Sequence, residues 1–485
     1  TAYEMLRSLV GSEMCIRDSS VPLYATRLTR GLIEVKLRQA HLLDETALHT
    51  YAPGDLIKMG PFTIEPFHVC HSIPDTVGLG ITTPAGLLVH SGDFKFDHTP
   101  VDGWPPDFAK LAEFAGRGVL ALLSDSTNAT EPGTTPSEQV VTDALDAVMR
   151  EARGRVIIAT FASLISRIQQ AIDVAAHYGR KFAIAGRTMT ENVKMARQLG
   201  YLQIPEGMQV TLGDVDRLPP SSVLIMATGA QGEPTAVLTR LATGQHASLH
   251  IDPGDTVVLS SHTIPGNEEM IHRVINRLFQ RGAEVIYDPI APVHVSGHAS
   301  QEEQKLLINI LRPANFIPIH GELRHLKQHA KIAMQMGMPE QQIAVVENGY
   351  VLTFQDGRVC AGERIPGGYV FVDGMWVGDA VGPTVIHERE TLANAGVCVV
   401  ALRYDPRKGA LLGSPQLTLR GFVAPEVAQE LLQQAAEVVK QTFRGIQPGT
   451  APQTVERLVQ RALTDFCQRR TKNRPETIVM VLGEE

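Results

Sequence analysis

The sequence predicts an α/β protein of several units, and three observations predict it. Between about 139 and 293, short apolar runs alternate with amphipathic stretches, the rhythm of strands and helices in one parallel layer. Ahead of that block, from Val21 to about Phe96, strand-length runs are broken by Gly and Pro. From about 395 a smaller α+β pattern closes the chain.

Taken in order, DLIKMGPFTIEPFHVCH reads as strands between breakers, and GLGITTPAGLLVHSGD as a hairpin through Pro84–Gly86. GVLALLSDS is a buried strand with Asp125 just past its end. Thr135-Pro136-Ser137-Glu138 has the form of a helix start, with Thr135 as cap and Pro in the first turn. Val141, Leu145 and Val148 then share a face. VIIATFA, KFAIAG, SVLIMATG, TVVLSS and AEVIY are strands, with helices over Ser163–Tyr178 and Glu268–Gln280. Ser300 and Glu303 form a capping box opening another helix. NFIPIHGE is a strand running into a loop. VVENGYVLTFQDGRV is a hairpin with turn signals at Asn348-Gly349 and Asp356-Gly357. The last unit reads as strand VCVVALRY, a connecting stretch, helices Pro425–Thr442 and Thr454–Arg469, and strand TIVMVL.

Composition narrows the class. With 485 residues, 44 % hydrophobic and 20 % charged, the chain is ordinary globular protein of several domains. A net charge of −8 gives no bulk basic footprint for nucleic acid, although cations gathered in one groove would suffice. The five cysteines (Cys15, Cys70, Cys360, Cys398, Cys467) include no CxxC pair, so a reducing cytoplasm is expected rather than a disulfide framework. No apolar run approaches the roughly 18 residues of a membrane span, and no signal-peptide pattern opens the chain. Residues 1–19 read as foreign to the rest of the chain and resemble a translated sequencing adapter.

Histidines and aspartates fall where strands end: His71 in HSIPD, Asp93 in SGDFKFD, Asp125 in SDSTN, His320 in PIHGE, with His294 and His298 in HVSGHAS. Imidazole and carboxylate are the usual ligands of catalytic zinc. A second ion requires a bridging carboxylate, a role that Asp93 suits.

In content and order these blocks resemble the ribonuclease J family of the metallo-β-lactamase superfamily, as do YATRLTRGLIEVKL, ATGAQGEP, IPGNE and QRRTKNRPETIVMVL; the resemblance runs from about residue 20 to the end. It implies a metallo-β-lactamase αββα sandwich over 20–138 and 294–378, incomplete at its N-terminus. A β-CASP α/β domain is inserted at 139–293, a linker spans 379–394, and a small α+β domain spans 395–485. It implies two Zn2+ per intact subunit, with His71, Asp93 and His320 as ligands and Asp93 between the ions. Asp93, Asp125 and His298 are implied as the catalytic group, Asp125 orienting ligands and His298 assisting proton transfer. His294, Val295, Ser296, Gly297 and His298 match a pocket for RNA phosphate, Ser261 a donor to a terminal phosphate, and Phe161 and Ser163 part of a nucleotide pocket. The implied activity is a 5′-to-3′ exoribonuclease with endonuclease action, in RNA processing and decay. The implied partners are RNA with a 5′ monophosphate, a homodimer or homotetramer and an RNA-degradation complex, with no membrane. ASLISR stands where something like ASNIHR is expected. The superfamily's HxHxDH signature occurs nowhere in the sequence, so the chain as written is expected to bind zinc poorly and to be inactive. Alternatives are a β-CASP DNA nuclease, a non-catalytic RNA-binding scaffold and a small-molecule metallohydrolase; the inserted block argues against the last. Of the cations Arg167, Arg187 and Lys194, solvated helix faces are the expected reading.

Overall fold

The computed structural model describes residues 21–39, 41–264, 266–355, 357–365, 372–373, 376–377, 383–423 and 425–483. The suspected adapter and Asp356 lie outside these residues. The chain divides into two compact units, 1–367 and 368–485.

The first unit contains a six-stranded mixed sheet, in the spatial order Asn315–Ile319, Val119–Asp125, Gly86–His90, Val77–Thr83, Phe62–His68, Ile57–Met59. The first two pairings are parallel and the rest antiparallel. Strands 62–68, 86–90, 119–125 and 315–319 therefore all run the same way, and the loops after them emerge at one end of the sheet. One face carries Phe67, Leu87, Val89, Val119 and Phe316, packed with Phe114 and with Leu307 and Leu311 of the helix Gln301–Leu311. On the other face Ala121 and Ile317 meet Val359, Leu352 and Phe354 of the hairpin Tyr350–Gln355/Arg358–Arg364.

Glu65, nearly buried on this sheet, is clamped by Arg117 (2.7 Å) and Lys110 (2.9 Å) from the helix Phe108–Arg117. Burial alone would raise its carboxyl, but Arg117 and Lys110 hold it below the usual value. A carboxylate depressed on folding stabilises above its unfolded value, near 4.3, and loses that contribution as pH falls through the lower folded value. Glu65→Gln is expected to cost about 1–2 kcal/mol at pH 7 and far less near pH 3. Urea unfolding at the two pH values checks this; an equal loss at both would contradict it.

The second sheet of this unit is wholly parallel, in the order Glu284–Tyr287, Thr256–Leu259, Val156–Ala159, Val223–Ala227, Lys181–Ala185. Its strands are covered on both faces, as a parallel sheet requires. Val156, Ile158, Leu224 and Met226 enter one cluster, and Ile157, Ala159, Ile225 and Ala227 another. The second and third strands in sequence lie on one side of the first, and the fourth and fifth on the other. The order thus reverses between 156–159 and 256–259, and ligands of open α/β sheets bind beyond the strand ends at such a point.

The helix Glu268–Gln280 matches its expected bounds, and the capping box of Ser300 and Glu303 is present. Other expectations need correction. Asp125 is the last residue of its strand, not past it. The region 21–96 is not only strands and turns, because Arg27–Gln39 is a helix whose Leu28 is buried in the core of the parallel-sheet block. The helix expected from Thr135 begins at Gln139, and Thr135 does not cap it. Instead Thr135 Oγ1 donates to the carbonyl of His298, 2.7 Å away. Arg167 is fully buried rather than on a solvated face.

In the second unit, Val397–Asp405 pairs antiparallel with Ala410–Arg420 and parallel with Glu476–Gly483. Val400, Leu402 and Val479 pack on Ala435 and Val439 of the helix Pro425–Phe443 and on Val459 and Leu463 of Pro452–Thr471. The expected connecting stretch thus contains a strand, and the expected linker at 379–394 holds all but the last residue of the helix Pro383–Ala395. Among the described residues no helix is long and apolar enough to cross a membrane.

Candidate metal centre and phosphate pocket

Strand direction assembles a candidate metal centre. His71, Asp93, Asp125 and His320 each end or follow one of the four strands that run the same way. Ile319 is in register with Asp125, so His320 leaves the sheet beside it. His320 takes a left-handed backbone (φ 55°), a conformation costing a β-carbon-bearing residue about 1–3 kcal/mol. Ser126 N–H donates to its carbonyl (3.1 Å), which ties that turn to the neighbouring strand end. Gly92, also left-handed (φ 64°), makes the turn before Asp93; a β-carbon there would come within 2.5 Å of the Val77 carbonyl.

Two groups of potential ligand atoms result. Those of His71, Asp93 and His298 lie within 4.8 Å of one another, as do those of Asp125, His298 and His320. Asp93 Oδ1 is 3.5 Å from His320 Nε2, which joins the groups a second time. The three expected ligands are thus brought together. The pairing of His298 Nδ1 with Asp125 Oδ2 (2.7 Å, both buried) places two further residues among them.

The proton positions follow from the partners. A carbonyl only accepts, so His71 Nδ1, 2.9 Å from the Gly297 oxygen, carries the proton and leaves Nε2 with a lone pair. The Asp125 carboxylate orients the His298 ring in the same manner. Burial, then the neighbouring His298, pushes His71 below the ordinary imidazole value, which keeps it neutral at pH 7. Burial would raise Asp125, but His298, by charge and hydrogen bond, pulls it well below the carboxylate range. A neutral His71 held by the Gly297 carbonyl and a His298 ring held by Asp125, beside the Asp93 carboxylate, are donors of the kind zinc prefers. The residues present therefore fit a zinc centre.

Gly297 sets the distance between the centre and the HVSGH turn. A β-carbon there would fall 2.3 Å from Ser72 Oγ and 2.5 Å from His71 Nδ1. The turn is held from below by Val293 and Val295, whose side chains are buried in the parallel-sheet core. The side chain of Val295 therefore cannot meet a ligand, and only its backbone could serve the role expected of it. Arg167 anchors the same place, donating to the Val293 carbonyl (2.8 Å) and to Ser260, while Ser260 Oγ donates to that carbonyl as well (2.7 Å). His294 is pushed well below its ordinary value by burial and by Arg167, and its Nδ1 is buried without a hydrogen bond. Ser261 follows the strand Thr256–Leu259, and its neighbour His262 brings its ring within 5.8 Å of His294. Half-buried Phe161 and buried Ser163 sit just beyond the strand Val156–Ala159, on the other side of the point where strand order reverses.

Residue-type and spacing arguments did not single out three polar side chains. His90, at the end of its strand, accepts from Gly92 N–H (3.0 Å) and senses the charges of Asp93 and His320. Asn128 donates to Ser296 and to the His298 carbonyl. Gln231, buried, donates to Ser261 and to the His262 carbonyl. His90 stands three residues before Asp93, so the rule of polar groups at strand ends could have found it. Asn128 and Gln231 lie inside SDSTN and ATGAQGEP but carry no charge to draw notice.

This architecture places the chain in the metallo-β-lactamase superfamily, with a β-CASP domain and a C-terminal domain. Three family models match: "Ribonuclease J, beta-CASP domain" over residues 153–278, "Zn-dependent metallo-hydrolase RNA specificity domain" over 282–343, and "Ribonuclease J C-terminal domain" over 384–483. Ribonuclease J2 of Bacillus subtilis is 39 % identical over 465 residues, spanning 96 % of this chain and 83 % of that protein. Ribonuclease J of Thermus thermophilus is 43 % identical over 439 residues, spanning 89 % and 75 %. The chain belongs to the ribonuclease J family. A crystal structure of a protein of unknown function from Enterococcus faecalis V583 shares the fold, with TM-score 0.50 and 14 % identity, over 70 % of this chain and 76 % of that one.

Proposed function

We propose that this chain belongs to a zinc-type ribonuclease of RNA processing and decay that, when an HxHxDH segment is present, acts 5′ to 3′ from a 5′-monophosphate end, with endonuclease action as well. The observation that carries the reading is the convergence of His71, Asp93, Asp125, His298 and His320 at one end of the sheet, next to the HVSGH turn. His71, Asp93 and His320 would hold the zinc, with Asp93 between two ions. Bound there, zinc supplies Lewis acidity toward phosphate and a water made acidic enough to react near neutral pH.

The chain's own residues bind and orient the substrate. Ser261, His294 and Ser296 grip the terminal phosphate. The backbone of Val295 and Gly297 lets it approach, and Phe161 and Ser163 flank the nucleotide. His298, its Nδ1 proton held by Asp125, offers Nε2 to move a proton at the leaving oxygen. The RNA-specificity model over 282–343 and the relatives named ribonuclease J support RNA over DNA. A homodimer or homotetramer, a cytoplasmic location and an RNA-degradation complex complete the reading.

HxHxDH is absent from this sequence. Three ligands are too few for two ions, since a catalytic zinc takes three protein ligands of its own. The chain as written is therefore expected to carry well under two zinc ions and not to cleave RNA, whereas the same chain extended by an HxHxDH segment should. Metal content by mass spectrometry and digestion of matched 5′-monophosphorylated RNA and DNA oligomers test both statements. Two zinc ions with RNA cleavage by the chain as written would overturn the inactivity, and equal cleavage of DNA would overturn the substrate.

A further inference from the structure

Two serines near the HVSGH turn have their hydroxyl polarity biased by side-chain amides, one half-buried and one buried. Ser296 Oγ accepts from Asn128 Nδ2 (2.9 Å) and from the backbone N–H of His298 (3.1 Å). The orientation of the Asn128 amide is fixed independently, because Nδ2 also reaches the His298 carbonyl (2.9 Å), which can only accept. Both lone pairs of Ser296 are thus occupied by donors, and neither bond uses its proton. The second serine accepts one such amide donor, which fills one of its two lone pairs. Gln231 Nε2 donates to the His262 carbonyl (2.6 Å) and to Ser261 Oγ (3.1 Å), and Gln231 Oε1 accepts from Ile264 N–H (2.9 Å), so this amide cannot be flipped either. Among the described residues the Ser261 proton has only the Ala230 carbonyl, at 3.5 Å, the outer limit of a hydrogen bond. Ser260 Oγ, bonded to the Val293 carbonyl (2.7 Å), ties the strand end bearing Ser261 to the turn bearing Ser296.

We infer that Asn128 and Gln231 are positioning residues, Asn128 making Ser296 an obligate donor and Gln231 biasing Ser261 toward donation, which makes the pocket selective for an ionised phosphate terminus over a hydroxyl one. The inference rests on the phosphate role proposed above for the two serines. A serine free to rotate can accept from a terminal hydroxyl as readily as it donates to phosphate. One whose lone pairs are filled can only donate, and donation to an anion is roughly twice as strong as donation to a neutral group. Asn128 and Gln231 need not touch the RNA; they act through the serines.

The test measures binding by the chain as it stands, using fluorescence anisotropy with one oligoribonucleotide in 5′-monophosphate and 5′-hydroxyl forms. The parent chain should prefer the phosphate form. Gln231→Met and Asn128→Leu, close in volume but unable to donate, should each reduce the preference ratio about tenfold, the scale of one hydrogen bond to a charged group. In a Ser261→Ala background, Gln231→Met should change the ratio no further. A merely structural role would weaken both oligomers alike and leave the ratio intact, and that result would overturn the inference while leaving the phosphate pocket standing. If one variant fails to fold, as judged by circular dichroism, the other decides. No preference in the parent chain would instead sink the phosphate reading itself, and the inference with it.

Discussion

Arg167→Ala is expected to lower folding stability by about 3–5 kcal/mol, read as a drop in urea midpoint. The guanidinium has no exposed surface and spends its donors on Glu138 (2.6 Å), Gln170 (2.8 Å), the Val293 carbonyl (2.8 Å) and Ser260. Removing it leaves the buried Glu138 carboxylate facing only Lys95, 3.8 Å away and itself buried beside Asp97 (3.5 Å). An uncompensated buried charge costs more than the lost pair gave, which separates this substitution from a surface arginine such as Arg187, worth little. Arg167→Lys should recover only a small part, because a point charge cannot replace a fork with several fixed donors. A midpoint shift no larger than that of Arg187→Ala would refute the account.

In the chain extended by an HxHxDH segment, Gly297→Ala is expected to weaken zinc binding roughly 10–100-fold, the range seen when hydrogen bonds that orient a ligand are lost. The added methyl would sit within 2.5 Å of His71 Nδ1 and 2.3 Å of Ser72 Oγ, so the imidazole or the turn must move. Either movement breaks the 2.9 Å bond from His71 to the Gly297 carbonyl, which fixes which ring nitrogen is free. Competition with a chromophoric chelator measures the change relative to the same extended chain with Gly297 intact. Unaltered affinity would show that the ring does not depend on this contact.

The sequence made legible whatever rests on local pattern. The helix Glu268–Gln280, the Ser300–Glu303 box and the turn at Pro84–Gly86 depend on residues a few positions apart. The convergence of His71, Asp93, Asp125, His298 and His320 was legible in part too, because strand ends are marked by Gly and Pro and these side chains are few and chemically distinct. What escaped was set by partners far along the chain. Thr135 and Glu138 carry a helix-start pattern, yet one bonds the carbonyl of His298, 163 residues on, and the other answers Arg167. Leu28 opens a helix whose apolar face is not evident until the parallel-sheet block it packs against is in place. Gly413 and Pro415 signal a break, and the chain does bulge there. The ladder nevertheless resumes, from Ala401 opposite Gln416 to Arg403 opposite Leu412, so a strand was hidden behind turn residues. Asn128 and Gln231 are neutral, and only geometry shows what their amides hold.

The Glu303 carboxylate accepts from three backbone amides, those of Phe96 (2.7 Å), Thr135 (2.7 Å) and Ser300 (2.9 Å). Phe96 and Glu303 are 207 residues apart. At about 5–20 residues per second on the ribosome, the amide that comes after the GDFK segment waits roughly 10–40 seconds for its acceptor to be made. The parallel five-stranded layer lies wholly within that interval and can close first, so the layer bearing His71, Asp93 and His320 is completed around a neighbour that already exists. Nascent chains stalled before Glu303 should then protect the inner block from protease while leaving the GDFK segment open to cutting.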